Sequence, residues 1–264
     1  MIILITGITS GFGKAMAERL NADGHTVYGT HRRDCPQIPG VRYIKADVAS
    51  EQDCRAAVQQ VLDEQGRIDV FINNAGMGIG GPLEFCTLEQ AQQQMDTNWM
   101  GMVRCLHWVL PAMRKQGSGK IICFSSIGGL MGLPFQGLYS ASKFAIEGYC
   151  EALRLEVKKL GIKVVVIEPG DFATSFTASR NSVDDPEAHK AYPSYARSLQ
   201  SIEKDETGGL KPEYLAGKIS RIVRKRNPNY HYIISTLEQR LSVFLKAILP
   251  PSWFAAILGS YYHL

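Results

Sequence analysis

The chain begins with a short apolar run that leads into a glycine-rich turn, Ile2-Ile3-Leu4-Ile5-Thr6-Gly7-Ile8-Thr9-Ser10-Gly11-Phe12-Gly13. The apolar run predicts a buried strand, and the residues after Gly13 predict a helix that stops at Gly24. Glycines at such a junction let the backbone approach a pyrophosphate, whose charge the free N–H groups at the start of the helix favour. Because glycines also close purely structural turns, the flanking strand and helix carry this prediction of a nucleotide site.

Short apolar runs recur along the chain and alternate with longer segments of helical period. These runs predict strands at Ile2–Ile5, Val27–Thr30, Val41–Ile44, Val70–Ile72, Ile121–Phe124, Val164–Ile167 and Tyr232–Ile234. Continuous apolar character is expected of strands buried on both faces, and alternation with helices implies parallel pairing through right-handed crossovers. The predicted fold is α/β: a Rossmann-like, doubly wound, mostly parallel seven-stranded sheet with helices on both faces.

Composition places the chain among ordinary globular proteins. It has 264 residues, 45% of them hydrophobic and 20% charged, and a formal net charge of +4 that is spread along the sequence. We expect a single domain over residues 1–264, no nucleic-acid partner and no membrane span. The six cysteines lie without paired spacing or nearby histidines, so we expect neither a metal site nor disulfides. The start of the chain lacks the pattern of a signal peptide, which favours a cytoplasmic location.

Four longer segments carry further predictions. Amphipathic patterns predict long helices over Glu89–Met113 and Tyr139–Leu160. Residues 171–210 lose any periodic pattern, and a connection of that length predicts a substrate-side loop or flap. Residues 241–264 are apolar but interrupted, so they are predicted either to pack over the core and substrate pocket or to rest on a membrane surface.

Tyr139 and Lys143 offer acid–base chemistry. Their spacing places both side chains on one face of a helix, where the ammonium is expected to favour ionisation of the phenol. The same spacing recurs at Tyr214 and Lys218, so it is weak by itself. Ser126, unlike the serine that precedes Tyr214, follows a buried strand and so lies at the ligand-binding edge of the predicted sheet. Its neighbour Ser125 must point the opposite way, because successive extended residues alternate.

These elements together resemble the short-chain dehydrogenase/reductase family. The glycine turn matches its T-G-x-x-x-G-x-G loop, Asn73-Asn74-Ala75-Gly76 matches its N-N-A-G element, and Pro169-Gly170 with Thr174 matches its P-G-x-x-x-T element. The resemblance implies cofactor contacts from Gly7, Thr9, Ser10, Gly11, Phe12, Gly13, Arg32, Asp47, Val48, Asn74, Ala75, Gly76, Tyr139, Lys143, Pro169, Gly170 and Thr174. For Asp47 a helix-capping role is the alternative.

The second strand is followed by Thr30-His31-Arg32-Arg33. His31 stands where NAD-dependent members resemble one another in having aspartate, and an arginine in this region accommodates a 2′-phosphate. We therefore expect NADP(H) as cofactor, with Arg32 preferred over Arg33, unless both arginines are merely solvated.

The resemblance also implies catalytic roles. Ser126 would hydrogen-bond the substrate oxygen, Tyr139 would transfer the proton, and Lys143 would bind the nicotinamide ribose and assist the phenol. Asn98 matches the family asparagine that anchors a relay water, although an asparagine before Gly101 equally fits a helix kink.

The segment Gly128–Phe135 resembles that of 17β-hydroxysteroid and retinol dehydrogenases. It implies that the enzyme interconverts a lipophilic ketone and its secondary alcohol, with steroids, retinoids, sphingoid ketones and small ketones all open. The resemblance further implies a homodimer or homotetramer. The alternatives are a nucleotide-binding regulator or a membrane-docked scaffold without turnover.

Overall fold

The computed structural model describes all residues from 1 to 264. Its main sheet has seven strands in the order β3-β2-β1-β4-β6-β7-β9, and every neighbouring pair is parallel. These strands are β1 (Ile2–Ile5), β2 (Thr26–His31), β3 (Arg42–Lys45), β4 (Val70–Asn73), β6 (Gly119–Phe124), β7 (Ile162–Pro169) and β9 (His231–Ile234). A second sheet pairs β5 (Ile79–Gly80) with β8 (Asn181–Ser182). The predicted fold class and all seven of its strands are confirmed.

Helices cover both faces of the main sheet. They are α1 (Gly11–Ala22), α2 (Glu51–Gln65), α3 (Leu88–Met95), α4 (Gly101–Gln116), α5 (Gly137–Glu156), α6 (Pro186–Ala191), α7 (Tyr195–Thr207), α8 (Pro212–Arg224), α9 (Leu237–Ile248) and α10 (Pro251–Tyr261). One core of 25 buried residues lies under α2, α4 and α5, and the other, of 21 residues, lies under α1 and α8. None of the helices combines the length and apolar character that crossing a membrane requires.

The order of the strands positions the ligand site. The chain passes from β1 outward to β2 and β3 and then returns to β4 on the other side of β1. Two crossovers therefore diverge between β1 and β4, and the crevice at the carboxyl ends of these strands is where open α/β sheets bind ligands.

Two sequence predictions need correction. The helix expected over Glu89–Met113 is two helices, α3 and α4, separated by a π-helical turn at Asp96–Met100. The pattern-free segment 171–210 contains α6 and α7 and is not a plain loop. These helices leave little apolar periodicity in the sequence because they bury few residues. α6 buries only Ala188, and α7 buries Tyr195, Ser198 and Ile202.

Candidate active site

A large cavity of about 1390 Å³ opens at the carboxyl ends of the strands. Its walls come from the turns after β1, β2, β4, β6 and β7, together with α5, α7, α9 and α10. The predicted cofactor residues on the wall are Gly7, Thr9, Ser10, Gly11, Phe12, Arg32, Asp47, Val48, Asn74, Ala75, Gly76, Tyr139, Lys143, Pro169, Gly170 and Thr174. Gly13 and Asn98 do not line it, but Gly13 packs against Gly7 and Asn98 accepts from Met77, and both of these partners do.

The glycine turn after β1 is held against the end of β4. Gly7 has φ +73°, in the left-handed region, and a Cβ built on Gly13 would lie 1.9 Å from the Gly7 carbonyl oxygen. The Asn74 side chain donates to the carbonyl oxygens of Thr6 and Gly7, both at 2.9 Å, and the Thr6 hydroxyl accepts from the backbone of Asn74 and Ala75. The first turn of α1 is thus fixed with its N–H groups directed at the cavity, which fits a pyrophosphate.

The end of β2 forms the basic part of the cavity. Arg32 and Arg33 both line it, and the Arg32 side chain is 57% exposed. The Arg32 guanidinium lies 3.6 Å from the Asp47 carboxylate, whose other oxygen accepts from the backbone of Ala49 at 3.0 Å. Asp47 does not cap α2, because the Ser50 side chain holds that position. The residues present therefore fit a ribose that carries a 2′-phosphate.

Ser126, Tyr139 and Lys143 meet in the middle of the cavity. The Lys143 ammonium lies 5.5 Å from the centre of the Tyr139 ring and donates to the carbonyl oxygen of Phe124 at 2.9 Å. The Ser126 hydroxyl accepts from the Gly128 backbone at 3.0 Å and faces the phenol, whereas the Ser125 hydroxyl contacts the Lys143 carbonyl oxygen. The two neighbouring serines thus point to opposite sides, as the extended backbone requires.

Burial controls the ionisation of this group. It raises the pKa of Tyr139 to about 12, although the Ser126 hydroxyl acts in the opposite direction. Burial also lowers the pKa of Lys143 to about 8. In the free protein, desolvation of the phenol thus outweighs the influences that favour its ionisation, and the effect of the ammonium on the phenol stays a prediction. A neutral phenol is the form that donates a proton.

Asn98 occupies the π-helical turn and is fully engaged. Its amide nitrogen donates to the Met77 carbonyl oxygen and to the Ser142 hydroxyl, both at 3.0 Å, and its amide oxygen accepts from the Met77 backbone at 2.8 Å. Ser142 in turn donates to the Tyr139 carbonyl oxygen at 2.7 Å. Such turns are frequent at functional sites. Asn98 therefore links the turn after β4 to the helix that carries Tyr139, and its relay water stays a prediction.

The second tyrosine–lysine pair lies elsewhere. Tyr214 and Lys218 are on α8, Tyr214 is 48% exposed, and neither lines the cavity. The two pairs have the same spacing in sequence, and what distinguishes Tyr139 and Lys143 is their buried position at the edge of the sheet.

Sequence reasoning missed several charged residues around the cavity. Asp171, Asp205 and Glu206 line it. Glu206 pairs with Arg180 and accepts from the Thr177 hydroxyl at 2.6 Å. Only Asp171 had a sequence signal, because it follows Pro169-Gly170 directly.

Comparison with known proteins agrees with this geometry. The family described as short chain dehydrogenase matches residues 1–185. The chain belongs to the short-chain dehydrogenase family and is an oxidoreductase.

Individual relatives cover most of the chain. It is 49% identical over 262 residues to 3-ketodihydrosphingosine reductase of Bacteroides thetaiotaomicron, covering 99% of this chain and 97% of the relative. It is 32% identical to human 17-beta-hydroxysteroid dehydrogenase type 1, and the match covers 95% of this chain and 82% of the relative. A solved short-chain dehydrogenase from Streptomyces avermitilis superposes with a TM-score of 0.82 at 27% identity, covering 99% and 96%.

Proposed function

We propose that this protein is an NADP(H)-dependent oxidoreductase that interconverts a ketone and a secondary alcohol, with Tyr139 as the acid/base. The observation that carries the proposal is the meeting of Ser126, Tyr139 and Lys143 beside the glycine cradle in one cavity. Bound NADPH would supply hydride to the carbonyl carbon. The Ser126 hydroxyl then donates a hydrogen bond to the carbonyl oxygen, and Tyr139 delivers the proton as negative charge develops there. Lys143 stabilises the phenolate that is left.

The basic end of the cavity supports a preference for NADP(H). We expect Arg32→Ala to raise KM for NADPH by roughly 10- to 100-fold, because each charge-assisted contact to a phosphate contributes about 1.5–3 kcal/mol. KM for NADH should change little, since that cofactor carries no 2′-phosphate. Steady-state kinetics with both cofactors measure this, with Arg33→Ala as the matched control. A wild-type protein that prefers NADH, or an equal effect on both cofactors, contradicts the assignment.

The substrate end of the cavity favours a long-chain ketone that carries an ammonium group. Its wall includes Met131, Leu133, Phe176, Ile257, Leu258 and Tyr261. Asp171 lines the same cavity, accepts from Gln239 and forms no ion pair; burial, followed by the charges of Glu206 and Asp205, raises the pKa of Asp171 to about 7. A buried carboxyl without a counter-ion suits a cationic ligand. The 49% identical relative is named for a ketosphingoid substrate, and sphingoid ketones combine an alkyl chain with an ammonium beside the carbonyl.

A spectrophotometric screen of NADPH oxidation tests this function. The substrates are a long-chain 2-amino-3-ketone, its neutral N-acetyl derivative, a steroid ketone and a retinoid aldehyde. We expect the highest kcat/KM for the amino ketone and at least about tenfold less for the N-acetyl derivative, which loses a charge-assisted contact. Equal turnover of the two, or a preference for steroid or retinoid, refutes this substrate class.

The last two helices support a peripheral contact with a membrane. The outer face of α9 exposes Leu237, Leu241, Phe244 and Ile248, and α10 exposes Trp253, Ile257 and Tyr261. Of α9 no residue is buried, and of α10 only Phe254 is. Exposed apolar faces with Trp and Tyr, flanked by Arg240 and Lys246, suit the surface of an anionic bilayer. We propose that this surface docks there, beside the cavity entrance that α10 lines.

Sedimentation with vesicles of phosphatidylcholine and phosphatidylserine tests the docking. We expect the protein to pellet with them, and Leu241→Glu with Phe244→Glu to abolish pelleting, because two charges would have to enter the apolar interface. Leu155→Glu, at an exposed leucine of α5, is the control. Absence of pelleting, or burial of this face between two copies of the chain, contradicts the proposal.

The dimer or tetramer, the cytoplasmic location and the single domain stay predictions.

A further inference from the structure

Three titratable side chains lie behind the catalytic pair, outside the cavity. Glu147 follows Lys143 by one turn of α5, Glu168 is on β7, and His231 begins β9. One atom from each side chain, a carboxylate oxygen of either glutamate and an imidazole nitrogen of the histidine, lies within 4.8 Å of the other two. The proposed reaction assigns them no role.

The cluster is closed on the inside and open to solvent at one end. Glu168 is 0% exposed; one carboxylate oxygen accepts from the Tyr232 backbone at 3.0 Å and the other contacts the His231 Nδ1 atom. The same Nδ1 atom lies 3.8 Å from one oxygen of Glu147, and the other oxygen of Glu147 is buried without a hydrogen-bond partner. The His231 side chain is 45% exposed. His231 is therefore the residue through which the cluster reaches solvent.

Two carboxyl groups face a single imidazole here. Burial raises the pKa of Glu168 to about 8, and burial together with the charge of Glu168 raises the pKa of Glu147 to about 7. Two carboxyl groups this close lose their protons as a coupled pair. Near neutral pH the pair therefore holds a proton that either carboxyl can carry. The other titratable groups around the cluster are Lys143, Cys123, Cys150, Glu151, Arg154 and Tyr230.

Lys143 lies one helical turn before Glu147 on α5 and so adjoins both the cluster and the active site. The ammonium of Lys143 is buried against the Phe124 carbonyl oxygen, and desolvation favours its neutral form. Among the groups that raise the pKa of Lys143, the Glu147 carboxylate has the largest effect. Ser125, which contacts the backbone of Lys143, also lowers the pKa of Glu147.

We propose that Glu147, Glu168 and His231 form a proton-sharing cluster that keeps Lys143 charged, and so sets the pH range in which Tyr139 delivers its proton. The inference rests on the proposed function, because it uses Lys143 as the partner of the phenol. Glu147 is a positioning residue that acts through Lys143 and touches no substrate. As pH rises and the pair loses its shared proton, the growing negative charge holds the proton on Lys143.

The sign of the effect follows from the charges. Reduction needs the ammonium, so its rate is full below the pKa of Lys143, about 8, and falls as pH rises through that value. Removing the Glu147 carboxylate takes away a negative charge that favours the ammonium. The alkaline limb must then move to lower pH.

The experiment is the pH dependence of kcat for ketone reduction from pH 6 to pH 10, in buffers with EDTA. In Glu147→Gln we expect the alkaline midpoint to fall by about one pH unit while kcat at pH 6 is unchanged, since one neighbouring charge shifts a buried pKa by about that much. Glu156→Gln, at an exposed position near the end of the same helix and away from the cluster, should superimpose on the wild type.

Other outcomes separate this role from a structural one. An unchanged midpoint, or a loss of kcat that is equal at every pH, overturns the proposal. As long as the wild-type protein itself reduces the ketone, the proposed function stands in either case. If Glu147→Gln does not fold, His231→Gln decides by the same criterion, because His231 is exposed and its imidazole contacts Glu168 and lies 3.8 Å from Glu147. Its midpoint should move in the same direction by a smaller amount.

Discussion

Replacing Tyr139 with phenylalanine is expected to lower kcat for ketone reduction by roughly 10²- to 10⁴-fold, the range that a positioned acid or base contributes. In the proposed mechanism the phenol, which faces Ser126 within the cavity, is the acid, and its raised pKa, about 12, keeps it protonated over the working range of pH. The ring itself remains in Tyr139→Phe, so packing against Phe176, at 5.6 Å between ring centres, should persist. The affinity for NADPH should therefore change little.

The second tyrosine–lysine pair supplies the control. Tyr214→Phe removes a hydroxyl at the same spacing from a lysine, on an exposed face of α8, and should have wild-type kcat. Equal rates for Tyr139→Phe and the wild type contradict the mechanism. If neither protein turns over any ketone or alcohol while both bind NADPH, the nucleotide-binding regulator is the better account.

Replacing Gly13 with alanine is expected to raise Kd for NADPH by roughly 100-fold. The added Cβ would lie 1.9 Å from the Gly7 carbonyl oxygen and 2.8 Å from the Asn74 amide nitrogen, so the turn after β1 must move. Such a shift misplaces backbone N–H groups that would hold the pyrophosphate. The loss of one or two charge-assisted hydrogen bonds, at about 1.5–3 kcal/mol each, accounts for the expected rise in Kd.

Quenching of tryptophan fluorescence or calorimetry measures the NADPH affinity. Gly148→Ala is the matched control, because its added Cβ meets nothing within 4 Å and it lies inside α5. That variant should bind NADPH as the wild type does. Binding by Gly13→Ala within threefold of the wild type would show that the turn does not form the cofactor cradle.

The sheet could be predicted from sequence because most of its strands contain a run of consecutive apolar residues. β1 and β4 are buried almost throughout, and the only polar residue in either is Asn73, the last residue of β4. Helix boundaries were harder where tertiary contacts outweigh periodicity. The π-helical turn that divides α3 from α4 accompanies hydrogen bonds between Asn98 and Met77, a partner from another segment that no local pattern reveals.

The candidate site divides in the same way. Residues within short motifs, such as Gly7 or Ser126, could be placed at the sheet edge because the motif and the preceding strand occur together. Glu147 and His231 could not be brought together, since their proximity depends on the pairing of β7 with β9 and on the docking of α5. The direction in which the pKa of Tyr139 shifts could not be predicted either, because it depends on burial in the folded chain.

The most direct test of the central claim is a crystal structure of the protein with bound NADP⁺. The account predicts the pyrophosphate at the start of α1 and the nicotinamide ring beside Tyr139, with room for a carbonyl group between its C4 atom and the phenol, at reacting distances of about 3–3.5 Å. A nicotinamide ring bound away from Tyr139, or a pyrophosphate away from the turn after β1, would contradict it.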